Sequence, residues 1–191
     1  MGMPHCTIRL FFRGSRACVL ALACLFMSCT DPVKDRAIER LGGEDPRVPM
    51  GPEHRPGQPC VLCHSPGGPA SSKPFVIGGT VFETSSPASN GAAGVQVLFV
   101  DASSAMRQYE TNGAGNFFIP ESEWSDLTFP FKVGLLKNGK PIPMSTTVNR
   151  EGSCNFCHKP NPGSRYALPG DDPRESIGQI FVANAAARAT P

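Results

Sequence analysis

The chain has 191 residues, with 18 basic against 16 acidic side chains, and it carries 20 glycines and 20 prolines. A net charge of only +2, without a block of like charge, leaves nucleic-acid binding no electrostatic basis. The eight cysteines are the unusual part of the composition and call for an export or redox explanation.

Arg9, Arg13 and Arg16 form a basic flank before the apolar run from Ala17 to Ser28, the pattern of a secretory signal. At twelve residues the run is shorter than the roughly 20 needed to cross a bilayer. It ends in Leu25-Phe26-Met27-Ser28-Cys29, which resembles a bacterial lipobox with Phe26 in place of the usual leucine. Residues 1–28 are therefore read as a lipoprotein signal peptide and Cys29 as the lipidated mature N-terminus, anchoring an exported protein to the membrane. Ala21-Leu22-Ala23 before Cys24 is the alternative cleavage site, at the cost of a shorter apolar core. In either case Cys6, Cys18 and Cys24 leave with the signal.

Residues 29–59 read as a tether containing a short helix from Asp31 to Gly42, with Asp31 as N-cap, Pro32 in its first turn and Gly42 past its end. The stretch from Glu44 to Pro59 is rich in Pro and Gly and cannot build a core by itself. Residues 60–74 then contain Cys60-Val61-Leu62-Cys63-His64, and residues 149–178 contain Cys154-Asn155-Phe156-Cys157-His158. The Cys-x-x-Cys-His pentapeptide is the attachment site of c-type haem: two thioethers hold the macrocycle and the histidine takes the proximal side of the iron. Two such motifs imply two covalently bound c-type haems. The rival readings are a zinc site drawn from the four Cys and two His, or structural disulfides. About ninety residues separate the pairs, whereas zinc modules close within roughly twenty.

Between the motifs, residues 75–148 show short apolar runs separated by turn signals, the mark of a β-domain. Strands are predicted at 75–82, 95–100, 108–111, 116–119, 129–136 and 142–148, with a last one at 179–182 inside a terminal segment 179–191. Asn138-Gly139 is the strongest hairpin signal. The fold class that follows is mainly β, a seven-stranded antiparallel Greek-key sandwich with loop-rich haem-binding segments.

Gly79-Thr80-Val81-Phe82, Gly94-Val95-Gln96-Val97 and Thr111-Asn112-Gly113-Ala114-Gly115-Asn116-Phe117 resemble the carboxypeptidase regulatory-like, or transthyretin-like, β-sandwich family. The resemblance covers roughly seventy residues and implies a non-catalytic scaffold that displays other parts. The whole layout also resembles bacterial lipoproteins in which one CxxCH precedes such a sandwich and another follows most of it.

Two irons have four axial positions, but the chain beyond the signal has three histidines, His54, His64 and His158. With His64 and His158 proximal, only His54 remains as a second imidazole, so the two haems are unequal. Met144, ten residues before Cys154, is the candidate for the other iron, with Met50 and Met106 less local. Arg55, Lys73, Arg150, Lys159 and Arg165 flank the motifs and are candidate partners for haem propionates. If the first and last strands are parallel neighbours, both motifs lie at one end of the domain, and this shared end is the expected arrangement. The expected activity is single-electron transfer between redox partner proteins on the periplasmic or surface side, without a dedicated catalytic constellation. An open haem with peroxidase-like or gas-binding activity, and a structural display module, are the other readings.

Overall fold

The computed structural model describes residues 31–182 apart from 47, 49, 138, 139, 169 and 170, so the expected signal peptide 1–28, Cys29 and the tail beyond 182 lie outside the described residues. Everything below belongs to the unit that begins at Pro32.

Helix α1 spans Pro32–Arg40. Gly42 ends it with φ +68°, its N–H bonding to the Glu39 carbonyl, the left-handed stop that glycine supplies without steric cost. Two single-turn helices follow, α2 at Cys60–Cys63 and α3 at Cys154–Cys157, one for each pentapeptide.

Seven strands form two sheets among the described residues. They are β1 Phe75–Phe82, β2 Gln96–Val100, β3 Met106–Glu110, β4 Asn116–Pro120, β5 Lys132–Lys137, β6 Lys140–Pro143 and β7 Ile180–Phe181. One sheet has the order β4-β1-β7 and the other β3-β2-β5-β6. Their facing residues share one core, in which Ile77 and Val81 of β1 and Phe117 and Ile119 of β4 meet Val97 and Phe99 of β2, with Trp124 and Phe131. The arrangement is sandwich-like and mainly β. It is mixed rather than purely antiparallel, because β7 runs parallel to β1 through Val81↔Ile180 and Phe82↔Phe181. A strand that returns from the distant second motif reaches this edge only by a crossover, which leaves the parallel sense open to it.

Several strand ends differ from the sequence expectation for local reasons. Thr111 leaves β3 because its side chain is needed elsewhere: its hydroxyl donates to the Ala92 carbonyl and accepts from Val95 N–H. Pro130 has no N–H to give a ladder, and β5 starts at Lys132. Pro141 and Pro143 confine β6 to an edge, and it stops before Met144. Lys137 pairs with Lys140, and the Asn138-Gly139 hairpin signal lies outside the described residues.

Strand β1 is the exception to half-buried patterning. Residues 77–82 are buried without interruption, which requires cover on both faces. Ile77 and Val81 point to the core, and the alternate residues Thr80 and Phe82, also 0% exposed, lie under the segments that carry the motifs. Opposite β4, the free edge of β1 is taken by the residues just before α3: Gly78 N–H bonds to the Gly152 carbonyl, and Gly78 bridges to Ser153.

The middle of β1 is Gly78-Gly79, and both glycines answer to close approach. A Cβ on Gly78 would stand 2.8 Å from the Cys60 Cβ, and one on Gly79 would stand 2.8 Å from the Cys154 Cβ and from the Phe117 ring. Successive residues of a strand face opposite ways, so the two motifs grip β1 from opposite faces. Either glycine changed to Ala is expected to lower stability by about 1–3 kcal/mol, as overpacked sites do. Urea unfolding of the Gly78→Ala and Gly79→Ala proteins measures it, and an unchanged midpoint in both would contradict the two-sided packing.

Candidate haem sites

The two pentapeptides fold into near copies of one another. In α2 the residue before the first cysteine has φ −73° and ψ 93°, and His64 closes the turn at φ −93° and ψ 47°. The matching values around α3 are −84° and 101°, then −93° and 60° at His158. His64 N–H bonds to the Cys60 carbonyl at 3.0 Å and His158 N–H to the Cys154 carbonyl at 2.8 Å. One helical turn therefore presents both cysteines and the following histidine together. All four thiols are free.

The decisive detail is the second nitrogen of each imidazole. His64 Nδ1 lies 2.7 Å from the Lys73 carbonyl oxygen, and His158 Nδ1 lies 2.8 Å from that of Gly178. A carbonyl only accepts, so in both rings Nδ1 carries the proton and Nε2 keeps its lone pair for a metal. This is the orientation that outer partners impose on ligating histidines. Lys73 thus contributes its main chain here, not its ammonium.

Burial, the larger influence in both cases, holds the His64 and His158 pKa below the ordinary histidine value, which keeps the rings neutral. Burial likewise pushes the Cys60 and Cys154 thiols up to about 12, and it raises Cys63 as well. Cys157 is exposed.

No protein-family model, curated protein or solved structure matches this chain.

Around the first motif, the ladder irregularity between Phe75 and Ile77 lets Phe75 fall on the outer face of its sheet. There its ring stacks on His64 at 3.9 Å and on Phe118 at 4.7 Å between centroids. His54 is brought to the same place, its ring centroid 6.0 Å from that of His64. The two rings meet edge to face. Arg55 is committed elsewhere: its guanidinium donates to Glu44 Oε1 at 2.7 Å, to Gln58 Oε1 at 2.7 Å and to the carbonyls of Leu41 and Gly42. It ties the end of α1 to the loop that carries His54. Lys34 of α1 adds bonds to Ser65 Oγ at 2.8 Å and the Pro66 carbonyl at 2.7 Å.

The second motif opens on a cavity of about 540 Å³ that runs in between the sheets, within the range of cofactor pockets. Val97, Phe117, Val133, Leu135, Ile142 and Ile180 give it an apolar lining, and Met144 joins Cys154, Cys157 and His158 along it. Met50 and Met106 are 82% and 59% exposed and line no part of it. Arg150 stands at the cavity, whereas Lys159 pairs with Asp171 and Glu175, and Arg165 bonds to Asn90 and Tyr166.

The motifs touch. Val61 N–H donates to Ser153 Oγ at 2.9 Å across 92 positions of sequence. They lie beside the middle of β1 rather than at its end, because the two-residue β7 leaves most of that edge to residues 152–153. Ser153 escaped the sequence reading, as did Asn155, which is 1% exposed and donates from Nδ2 to the His158 carbonyl. Only its place inside the pentapeptide pointed to Asn155, and variable motif positions carry no signal of burial. Among the described residues no group of three or more His, Cys, Asp or Glu side chains is arranged to hold a metal ion. The cysteines and histidines of the two pairs are not gathered into such a group. The residues present do fit haem, with paired thiols, an oriented imidazole and, at the second site, an apolar cavity.

Two outcomes follow for the haem-free chain. Alkylation at pH 7.5 should label Cys157 first, with Cys60 and Cys154 at least about 100-fold slower because their thiolates are scarce; mass spectrometry of timed digests reads the order. Stability should fall as pH drops below about 6.5, since the folded state keeps both imidazoles neutral while the unfolded chain takes up protons. The effect is absent above that pH and grows toward the depressed folded values. Equal melting temperatures at pH 7.5 and 5.5 would contradict it.

Proposed function

We propose that this chain is an exported, lipid-anchored dihaem c-type cytochrome that carries single electrons between periplasmic or cell-surface partner proteins. The observation that carries this reading is the shared geometry of the two pentapeptides, each with free thiols on one turn and a histidine whose Nδ1 is held by a carbonyl. A structural disulfide asks for no such orientation, and a histidine directly after each thiol pair is what haem attachment requires. When bound, haem supplies the redox chemistry, and the protein sets its potential through ligand and burial.

The chain's own residues have distinct parts in this reading. Cys60 and Cys63, and Cys154 and Cys157, are the thioether donors; His64 and His158 are the proximal ligands. His54 is the second ligand at the first haem, and Met144 the second ligand at the other. Arg150 pairs with a propionate at the second site. The two sheets are proposed to be a Greek-key sandwich of the transthyretin-like kind, serving as scaffold. Cys29 is proposed as the lipid-bearing residue; no described helix is long and apolar enough to cross a membrane.

Expression with a cytochrome c maturation system, followed by intact mass and a pyridine haemochrome spectrum, tests the reading. Two haems per chain are expected, and a mass without haem would hand the case to a structural display module. Met144→Ala is expected to lower the potential of one haem, because methionine ligation raises it relative to other donors. Redox titration of the variant beside the parent checks this, and two unchanged potentials would remove Met144 from the ligand set.

A further inference from the structure

We propose that Thr80 and Asn116 are positioning residues for His54, a buried clamp that holds this imidazole over His64. The inference rests on His54 being the second ligand of the first haem and goes beyond it by assigning what keeps the ligand in place.

Thr80 of β1 and Asn116 of β4 face each other in the ladder, and they are 0% and 5% exposed. Thr80 Oγ1 donates to Asn116 Oδ1 at 2.8 Å and accepts from Gly57 N–H at 2.8 Å. With its oxygen so occupied, the Asn116 amide can turn only one way, and its Nδ2 donates to the His54 carbonyl at 3.0 Å and the Pro52 carbonyl at 3.3 Å. The clamp thus grips the main chain on both sides of His54 from inside the scaffold.

The loop needs such a hold. Arg55 has φ +49° and Gly57 φ +81°, and a left-handed residue other than glycine costs roughly 1 kcal/mol or more. Without outside bonds the loop would relax to other conformations and carry His54 away. The ring itself supplies no anchor, since His54 Nδ1 is enclosed without a hydrogen-bond partner and the nearest carboxylate oxygen, on Glu44, stands 3.9 Å off. The direction of the imidazole is therefore set by its main chain, which Thr80 and Asn116 hold from inside the scaffold while Arg55 and the Asn112 amide, donating to the Pro52 carbonyl at 2.7 Å, hold it from the outside. A hydroxyl and an amide buried in the face of a sheet, bonded to a loop and to each other, are costly unless every bond is made. Here three of the four bonds end on the segment that bears His54, and the fourth joins Thr80 to Asn116.

The test uses the full-length protein matured with haem, its haem content checked by pyridine haemochrome. Cyanide binding is followed by the oxidised absorption spectrum in the parent and in four variants. His54→Ala should take up one more cyanide per chain than the parent. Thr80→Val and Asn116→Ala should take up cyanide at that same haem about 10-fold faster than the parent, the usual scale of outer-partner losses. Thr80→Ser, which keeps the hydroxyl, should return to the parent rate. If Thr80→Val does not accumulate with two haems, Asn116→Ala decides. Parent rates in both Thr80→Val and Asn116→Ala, beside an extra cyanide in His54→Ala, would overturn the clamp and leave His54 a ligand. A His54→Ala protein that matches the parent would overturn both.

Discussion

Everything in this molecule leans on the close approach of two chain segments to Gly78-Gly79. A strand in a two-layer β-fold normally has one dry face and one wet one, and β1 has two dry faces because its side chains vanish where the motifs arrive. On one face the first pentapeptide packs down through Cys60; on the other the second enters beside Phe117 through Cys154. Any larger residue would push a cysteine, and with it the following histidine, off the strand. The scaffold and the sites are consequently not separable layers of design. The strand that fills the centre of one sheet is also the wall that divides the two sites.

That division explains why two nearly identical motifs have different surroundings. The first lies outside the sheets, covered by α1, by the loop with His54 and by an aromatic stack of His64, Phe75 and Phe118. The second opens into the space between the sheets, where Met144 and apolar strand residues line a cavity. The local turn is dictated by the pentapeptide itself, so it recurs; the remaining environment is dictated by which face of β1 the turn meets. Under the proposed function the consequence is two centres with different ligands and different exposure, an arrangement that separates potentials along one chain.

Much of this was legible in the sequence and some was not. The residues of β1 and β2 were readable because apolar runs of five to eight residues bounded by turn formers leave few alternatives, and the inequality of the two sites followed from counting histidines. The parallel placement of β1 and β7 underlay the expectation of a shared end, but the motifs lie against the middle of β1, since pairing across about a hundred residues leaves no local trace. Met144 could be suspected from proximity to Cys154, but that it lies beyond the end of β6 depended on Pro143. The partners of the histidine rings were invisible, because Lys73 and Gly178 act through carbonyls that every residue possesses. Lys73 drew attention for its charge and is used for its backbone. Thr80 and Asn116 looked like ordinary strand residues, and only the loop folded over them gives their polar atoms a purpose.

The hydrogen bond from His158 to the Gly178 carbonyl ends two residues before β7 begins. The same few residues that extend the edge of β1 also aim the second imidazole, so sheet closure and ring orientation occur together. A chain still emerging, or one cut short before residue 178, has the thiols of its second motif but no means of pointing the histidine. Loss of these few residues would therefore cost the fold a sheet edge and the second imidazole its hold at once.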